Sequence, residues 1–453
     1  MKFRHLFSST LILGLTTTAA FAQEEFFDEQ IDGSASGTTP WLEGDYAFGD
    51  LGGVRATLED RGVNFFGGYA VEVWGNVDGG LEQGAIYTGL LDFGLDLDLE
   101  KFVGWSGATF RSSWLWLSGR DASEDLVGNL FTISNIAGFN TLRAFELWLE
   151  QSFLDDRISL RIGQLSADEE FIISDTAGTF LNGTFGWPVL ASEALPNSGP
   201  AYPLATLGAR LAVHPTDWFS FLAAGFQGNP FAEDVNRHGF RWRLDEENGA
   251  TFLAEAQFRW DDCPLPGTVK FGGFANTNSF KLANGSGDEV RGNFGFYGIV
   301  DQALYREPGV ARTSLAPTLS KDGKSFKEPV TVVESSDEGL NAFARAGFTP
   351  QDRNFVGFYF DTGLAYTGLI PTRDNDVVGI AFGYADVTHD AAQVLFDEGS
   401  REVGYEIVLE ATYDIEVTPW LHVQPDAQYI IRPGTTGDLE NAFVVGGRAS
   451  IVF

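Results

Sequence analysis

Seven side chains of this sequence have the chemistry needed to recognise a polyhydroxylated solute. Arginine holds five N–H donors in a fixed fork, carboxylates accept hydrogen bonds from hydroxyl groups, and an aromatic ring offers a flat apolar face. The candidates are Glu72, Trp74, Arg111, Glu146, Trp148, Arg161 and Arg210. Such groups can hydrogen-bond the hydroxyls of a sugar while a tryptophan ring lies against its C–H face. The alternative is that the charges only line a water-filled lumen and the rings belong to a membrane interface.

Catalysis is a second chemistry that these residue types allow. Two carboxylates can hydrolyse a glycoside, but the chain has 63 acidic residues, so pairs arise by chance. The sequence has no G-x-S-x-G elbow, no P-loop and no G-x-G-x-x-G following a strand. The single Cys263 excludes a cysteine-based zinc site, and no ligand spacing for another metal is present. We predict neither an enzyme nor a cofactor, and a glycoside hydrolase is the least favoured alternative.

The elements that must position these side chains show an alternation with a period of two residues. In residues 91–99, apolar residues alternate with Gly94 and three aspartates. Residues 252–260, 402–416 and 443–453 repeat the pattern. Side chains two apart share one face of a strand but lie on opposite sides of a helix. The sequence therefore predicts strands with one apolar face and one polar, largely acidic face.

About sixteen such segments follow one another, which indicates an all-β protein. They begin near residues 63, 91, 108, 143, 158, 207, 218, 252, 269, 294, 340, 356, 377, 402, 421 and 443. Short connections, such as 155–156 and 261–264, alternate with long ones, such as 166–206 and 226–250. This arrangement is typical of a transmembrane antiparallel β-barrel. A soluble β-sandwich is the alternative, but its surface would then carry crowded like charges.

Alternation also assigns side chains to the two faces of each strand. Phe145, with the apolar residues at 147 and 149, is expected to face lipid. Glu146, Trp148 and Glu150 then face the lumen. The same alternation places the other candidates in the lumen, namely Glu72, Trp74, Arg111, Arg161 and Arg210.

Length and composition indicate the compartment and exclude some partners. The 453 residues carry a formal net charge of −34, and 14% of them are aromatic. The acid excess argues against a nucleic-acid binder, and the aromatic content argues against disorder. Residues 1–22 combine a basic start, a short apolar core and an A-x-A end, which predicts a cleaved secretory signal. Loss of Lys2 and Arg4 with that signal leaves a mature charge of −36.

The mature chain divides into an N-terminal extension and a barrel. The extension, residues 23–61, begins with an acidic stretch, and Asp50 is expected to cap a short helix near its end. The barrel occupies residues 62–453. Its long connection at 166–206 either folds into the barrel or covers it from outside. Residues 308–338 form a polar insertion, and the sequence leaves open the side of the membrane on which it lies.

Six strings go beyond generic alternation and occur in order along nearly the whole mature chain. They are GDLGGVR at 49–55, ELWLEQ at 146–151, LRIGQL at 160–165, NGTFGWP at 182–188, GPAYP at 199–203 and QPDAQY at 424–429. This ordered set resembles the carbohydrate-selective porin family, often called the OprB family. The terminal Phe453 is similar to the aromatic residue that outer-membrane barrels present to their assembly machinery. The resemblance implies a sixteen-stranded outer-membrane barrel through which sugars diffuse.

The sequence therefore predicts an outer-membrane porin that passes monosaccharides such as glucose by passive diffusion. Two alternatives stay open: a general cation-preferring porin, favoured by the acid excess, and an outer-membrane glycoside hydrolase. The expected partners are the permeating sugars, outer-membrane lipid and lipopolysaccharide, and the barrel-assembly machinery through Phe453. Nucleic acid is not an expected partner. The preferred sugar and the oligomeric state are left open.

Overall fold

The structure, a computed structural model, describes residues 41–261, 263–308, 311–319, 325–333 and 338–453. Its strands are β1 (Val63–Asp78), β2 (Gly84–Asp98), β3 (Ala108–Gly119), β4 (Thr141–Phe153), β5 (Ile158–Leu165), β6 (Thr206–Thr216), β7 (Phe219–Gln227), β8 (Ala250–Trp260), β9 (Gly267–Lys281), β10 (Glu289–Arg306), β11 (Ala311–Leu319), β12 (Ser325–Val333), β13 (Gly339–Phe348), β14 (Val356–Thr367), β15 (Val377–Val387), β16 (Tyr405–Thr418), β17 (Leu421–Ile431) and β18 (Ala442–Val452). Its helices are α1 (Val54–Glu59), α2 (Leu99–Val103), α3 (Gly183–Gly186), α4 (Val189–Ala194), α5 (Glu233–Asn236) and α6 (His389–Asp397). The predicted signal at 1–22 and the acidic stretch after it lie outside the described residues.

Sixteen of the strands close into one antiparallel barrel, which confirms the predicted fold. Neighbours follow in sequence order from β1 to β10 and from β13 to β18, and β10 pairs with β13. Strand β18 pairs back onto β1, where Glu72 lies opposite Arg448. Because the sheet closes on itself, each barrel strand hydrogen-bonds to a neighbour on both sides, as a membrane interior requires.

The period-two pattern places apolar side chains outside the barrel and acidic ones inside. Phe93, Phe271 and Phe296 are exposed on the outer wall although they are large and apolar. Glu406 and Glu410, on the other face of β16, are buried inside. In an outer-membrane barrel the outer wall contacts lipid rather than water, so these exposed rings are in their favourable environment.

Aromatic side chains also gather at the two ends of the barrel. At the end of the long loops, Phe348 and Phe358 lie with ring centroids 5.0 Å apart. At the opposite end, Trp218 and Phe258 stack with centroids 6.4 Å apart. Aromatic girdles of this kind lie at the two membrane–water interfaces, so the wall between them crosses the membrane.

Strand β4 departs from strict alternation at Phe145. Its pairing with β3 shifts register between Ser112 and Trp114, which indicates a β-bulge. Phe145 is buried and packs edge-on against Tyr202, with ring centroids 5.9 Å apart. The prediction that Phe145 faces lipid is therefore wrong, because the bulge turns it inward together with Glu146.

Four short turns lie at one end of the barrel, and three long loops lie at the other. Short turns join β4 to β5, β6 to β7, β8 to β9 and β16 to β17, at the end where β1 begins and β18 finishes. Long loops join β3 to β4, β5 to β6 and β7 to β8 at the other end. Strand direction places the connection from β10 to β13 at the short-turn end. The insertion at 308–338, which contains the antiparallel hairpin of β11 and β12, is therefore at that end.

A short helix, α1, precedes β1 as the sequence predicted. Its N-cap is Gly53 rather than the predicted Asp50. The Asp50 carboxylate still accepts a hydrogen bond from the Ala56 N–H, with Oδ1 3.0 Å from N. Asp50 therefore accepts a hydrogen bond from a first-turn N–H that has no partner within the helix, although it is not the N-cap residue. Among the described residues, no helix is long and apolar enough to cross a membrane.

Candidate functional site

The connection between β5 and β6, residues 166–205, folds into the barrel, and we call it the constriction loop. Its backbone N–H groups bind carboxylates that the strands point inward. Ile172 N–H donates to Glu255 Oε2 at 3.0 Å, and Leu181 N–H donates to Glu410 Oε1 at 2.6 Å. Of the two alternatives left by the sequence, the structure therefore has the loop inside the barrel, where it narrows the lumen.

Arg345 on β13 binds the constriction loop through several hydrogen bonds. Its guanidinium is buried and paired with the buried Asp361, with Nη2 2.5 Å from Oδ2. It also donates to four loop carbonyl oxygens at 2.7–3.1 Å, those of Ile172, Thr184, Phe185 and Gly186. Arginine suits this position because its fork of donors can serve several acceptors at once.

A second segment, residues 120–140 between β3 and β4, also enters the barrel, and we call it the second inward loop. Leu130 N–H and Phe131 N–H both donate to the carboxylate of Glu406, at 2.8 and 2.7 Å. The two loops bind each other, since Asn135 N–H donates to the Leu181 carbonyl at 2.8 Å. Inward carboxylates such as Glu406 are thus hydrogen-bond acceptors for loop backbone rather than free charges of the lumen.

Three arginines and three carboxylates lie on neighbouring strands from β2 to β6 and on the constriction loop, and we call this set the arginine ladder. Its members are Asp96, Arg111, Glu150, Arg161, Glu170 and Arg210. Cross-strand register places Asp96 opposite Arg111, Glu150 opposite Arg161, and Arg161 opposite Arg210. Glu170 comes from the constriction loop. Cross-strand neighbours on one face lie close enough to interact, so the pleat itself builds this array.

Positive and negative groups of the ladder lie at ion-pair distance in two sets, Asp96 with Arg111 and the other four groups with one another. Arg111 Nε lies 2.9 Å from Asp96 Oδ1, and Arg161 Nε lies 2.7 Å from Glu150 Oε2. Arg210 Nη2 contacts Glu150 at 2.7 Å and Glu170 at 2.5 Å. With three charges of each sign, the ladder is formally neutral. Partial exposure leaves donors and acceptors available to a solute, with the Arg111 side chain 25% exposed and that of Arg161 12% exposed.

Aromatic rings support the guanidinium groups of the ladder. The Arg161 guanidinium lies 3.9 Å from the ring centroid of Trp148, and that of Arg111 lies 5.0 Å from the ring of Phe66. Trp148 is 5% exposed, so Arg161 covers much of the ring that was expected to stack on a sugar. Stacking on an aromatic face fixes the orientation of a guanidinium group and therefore the direction of its N–H donors.

Glu72 and Trp74 lie in a separate, buried cluster. Glu72 accepts hydrogen bonds from Trp74 Nε1 at 2.7 Å and from Arg448 Nε at 2.8 Å. Arg448 also contacts Asn135 of the second inward loop. Trp74 has no exposed surface, and a Cβ at Gly446 would meet its ring at 2.4 Å. In this structure Trp74 therefore has no free face for a sugar, contrary to its expected role as a plate.

Glu146 connects the wall to the start of the constriction loop. Its carboxylate accepts hydrogen bonds from Ser166 N–H at 3.2 Å and from Trp148 Nε1 at 3.1 Å. Of the seven predicted residues, the structure brings together Arg111, Trp148, Arg161 and Arg210. Glu146 adjoins them, and Glu72 and Trp74 lie elsewhere.

The acceptors of the ladder were missed as site residues. Alternation places Glu150 in the lumen and Asp96 on the polar face of its strand, but it does not reveal their arginine partners. Cross-strand register is the signal that identifies these pairs. Glu170 carries no strand signal, because it lies on the constriction loop. Among the described residues, no group of three or more His, Cys, Asp or Glu side chains could hold a metal ion.

Asp168, at the start of the constriction loop, predicts a pH dependence of stability. Burial raises the pKa of this carboxyl from 3.8 to about 7, although hydrogen bonds from Ser166 and from the Tyr202 N–H lower it. The folded protein then binds the proton more tightly than the unfolded chain, so this stabilising contribution is complete below pH 3.8 and is lost as pH rises through 7. We expect the thermal midpoint of refolded protein to fall between pH 5 and pH 8, and to fall less in Asp168→Asn.

The Asp168 prediction has a matched control on the same chain. Asp155→Asn, on the exposed turn between β4 and β5, should keep the wild-type pH profile. The midpoint is measured as the loss of the folded, faster-migrating band on heating in detergent. Identical profiles for wild type and Asp168→Asn would show that this carboxyl does not control the effect.

Comparison with known proteins agrees with this architecture. Residues 82–453 match the profile of a family described as "Carbohydrate-selective porin, OprB family". The chain is 25% identical over 437 residues to Porin B of Pseudomonas aeruginosa, covering 90% of this chain and 91% of that protein. It is 22% identical over 432 residues to the putative porin QuiX of Acinetobacter baylyi, covering 88% of this chain and 91% of that protein.

A solved structure shows the same fold. The high-pH structure of Pseudomonas putida OprB superposes with a TM-score of 0.77 at 23% identity. The match covers 91% of this chain and 99% of that chain. The low-pH structure of the same protein gives a TM-score of 0.56 over the same shares of the two chains. Since the family profile matches most of the sequence, the chain belongs to the carbohydrate-selective porin family, OprB.

Proposed function

We propose that sugars cross this outer-membrane carbohydrate porin at the arginine ladder, and that monosaccharides such as glucose are among them. The observation that carries the proposal is the alternation of guanidinium and carboxylate groups, as at Asp96–Arg111 and Glu150–Arg161, beside the constriction loop. A sugar hydroxyl both donates and accepts hydrogen bonds, so it fits alternating donors and acceptors better than a surface of one kind. Selectivity then follows from lumen width and from these groups.

The proposed roles within the site follow from exposure. Arg111 and Arg161 keep part of their side chains exposed and would contact the sugar. Arg210, whose side chain is 4% exposed, would position Glu150 and Glu170. Glu146 would hold the constriction loop at the ladder, and Glu72 and Trp74 would support the second inward loop through Arg448. Each group thus acts either on the solute or on the shape of the lumen.

We further propose how the chain is processed and placed. Residues 1–22 would be removed on export, residues 23–61 would remain as an extension, and residues 62–453 would insert as the barrel. Phe453 directly follows β18; its N–H donates to the Gly67 carbonyl at 2.9 Å, and it would be presented to the assembly machinery. Short turns face the periplasm in barrels of this kind, so the insertion at 308–338 would be periplasmic. The outer wall would contact lipid and lipopolysaccharide.

Liposome swelling tests the ladder directly. We expect the double variant Arg111→Gln, Arg161→Gln to pass glucose several-fold more slowly, with a smaller change for a neutral amino acid of similar size, because the donors for sugar hydroxyls are weakened. The matched control is Arg259→Gln, an arginine with a 59% exposed side chain at the short-turn end. An unchanged ratio of glucose to amino-acid flux in the double variant would remove the ladder from the site.

A general cation-preferring porin is the alternative that the acid excess favours. Against it, Glu255, Glu406 and Glu410 accept hydrogen bonds from loop backbone, and each acid of the ladder is paired with an arginine. Planar-bilayer conductance separates the two functions, since added glucose should reduce ion current only where sugars occupy the lumen. Equal permeation of salts and sugars would support the general porin, and hydrolysis of a glycoside by purified protein would support an enzyme.

A further inference from the structure

A cavity of about 390 Å³ opens among β9, β10 and the turn between β13 and β14. Its lining combines Ala275, Thr277, Phe294 and the two arginines Arg291 and Arg353 with Gly292 and the buried Asn276 and Asn293. Phe294 is 44% exposed and occupies the same lipid-facing row of β10 as other exposed apolar side chains. The cavity lies at the long-loop end, where β9 and β10 meet the turn between β13 and β14. No step of sugar passage uses it.

Two guanidinium groups reach this cavity from different elements. Arg353 is held in place, because it forms two bonds to Asp352 at 2.8 and 2.9 Å and donates to the Gly292 carbonyl at 2.8 Å. These contacts use three of its five N–H groups. Arg291 makes one long contact, Nε to the Thr277 carbonyl at 3.4 Å, and is exposed. Arg291 therefore presents largely free donors to the cavity, and Arg353 keeps two of its five N–H groups.

The height of the cavity on the wall identifies the environment. Phe294 and Phe296 lie with ring centroids 5.8 Å apart, and Phe348 and Phe358 continue the aromatic girdle on the next strands. Arg291 is three residues beyond Phe294 along β10, which is about 10 Å at the rise of a strand. Aromatic girdles mark the interface between hydrocarbon and headgroups. The two arginines are thus at the level of the headgroups of the outer leaflet.

We infer that Arg291 and Arg353 bind a phosphate group of an outer-leaflet lipid, whose acyl chains lie along Phe294 and Phe296. Guanidinium groups bind phosphate through paired, charge-assisted hydrogen bonds. The exposed Phe294 in the lining and the lipid-facing row below it favour an acylated ligand over a free anion, because acyl chains add apolar contact that inorganic phosphate lacks. The inference goes beyond sugar transport and does not depend on which solute crosses the lumen.

Native mass spectrometry of the full-length, detergent-purified protein tests this inference. The probes are lipid A with two phosphates, lipid A with its phosphates removed, and inorganic phosphate. We expect wild type to retain one molecule of diphosphorylated lipid A, and Arg291→Gln, Arg353→Gln to bind it at least about tenfold more weakly, as loss of about 1.4 kcal/mol would give. Lipid A without phosphates should bind no better than this variant. Arg259→Gln, at the opposite end, is the matched control and should bind like wild type.

Each other outcome overturns the inference. Equal lipid retention by wild type and the double variant would show that the two arginines do not bind the lipid. An equal loss of binding in Arg259→Gln would indicate general charge attraction. Displacement of lipid by millimolar inorganic phosphate would indicate a site for free anions. The single variant Arg291→Gln guards against misfolding, because it leaves the contacts of Arg353 with Asp352 and Gly292 in place. It should still weaken lipid A binding.

Discussion

Replacing Glu170 by glutamine is expected to increase the permeability of the channel to anions relative to cations. Glu170 contacts Arg210 at 2.5 and 2.7 Å and lies 3.7 Å from Arg161, so its charge offsets the guanidinium groups of the ladder. The change leaves the ladder with one net positive charge but keeps the size of the side chain. For an ion about 8 Å away, one charge changes the energy by about 0.5 kcal/mol in water and about 2 kcal/mol at an effective dielectric constant of 20. Because anion and cation respond oppositely, their permeability ratio should change at least about fivefold.

The Glu170 prediction is measured as a reversal potential across a planar bilayer in a KCl gradient. The matched control is Glu247→Gln, a loop glutamate with an 80% exposed side chain paired with Arg243, which should leave the potential unchanged. Glucose flux should fall less than the ion ratio changes, since Glu150 still accepts hydrogen bonds from Arg161 and Arg210. A reversal potential equal to that of wild type would contradict a neutralising role for Glu170.

The barrel was predictable because its signal is local. Apolar and polar residues alternate along each strand, and lipid contact requires the apolar face outside. The pattern in residues 91–99 and 402–416 therefore predicts which side chains face outward. Phe145 is the exception, because its orientation depends on strand pairing and not on the local pattern. A bulge inserts one residue without changing composition, and only the pairing of β4 with β3 reveals it.

The interior was less predictable because its contacts join distant parts of the chain. Glu406 binds Leu130 across 276 residues, and Glu410 binds Leu181 across 229. An inward glutamate looks the same in sequence whether it lines water or accepts loop N–H groups. The ladder residues Arg111, Arg161 and Arg210 were identified by type and face, but their acceptors follow from register between strands. Part of the excess of acidic residues therefore serves to hold the inward loops through hydrogen bonds to their backbone.

A second large effect is expected when Arg345 and Asp361 are replaced together by methionine and asparagine. Arg345 donates to the carbonyls of Ile172 and of residues 184–186, so the double variant removes four bonds between the wall and the constriction loop. The freed carbonyls can bind water if the loop moves, whereas the barrel strands keep their own ladder of bonds. We expect single-channel conductance to rise several-fold and discrimination between glucose and a neutral amino acid to decline.

Pairing the two changes separates a role in the lumen from a role in folding. Arg345→Met alone leaves the buried Asp361 carboxylate without its counter-charge, which costs about 3–5 kcal/mol, so the single variant should be less stable than the double variant. Arg259→Gln, an exposed arginine at the short-turn end, is the control and should keep wild-type conductance. If the double variant inserts with a normal thermal midpoint and conducts like wild type, contacts other than Arg345 hold the constriction loop. If it conducts more but discriminates equally, the loop sets the width of the lumen while the ladder alone selects the sugar.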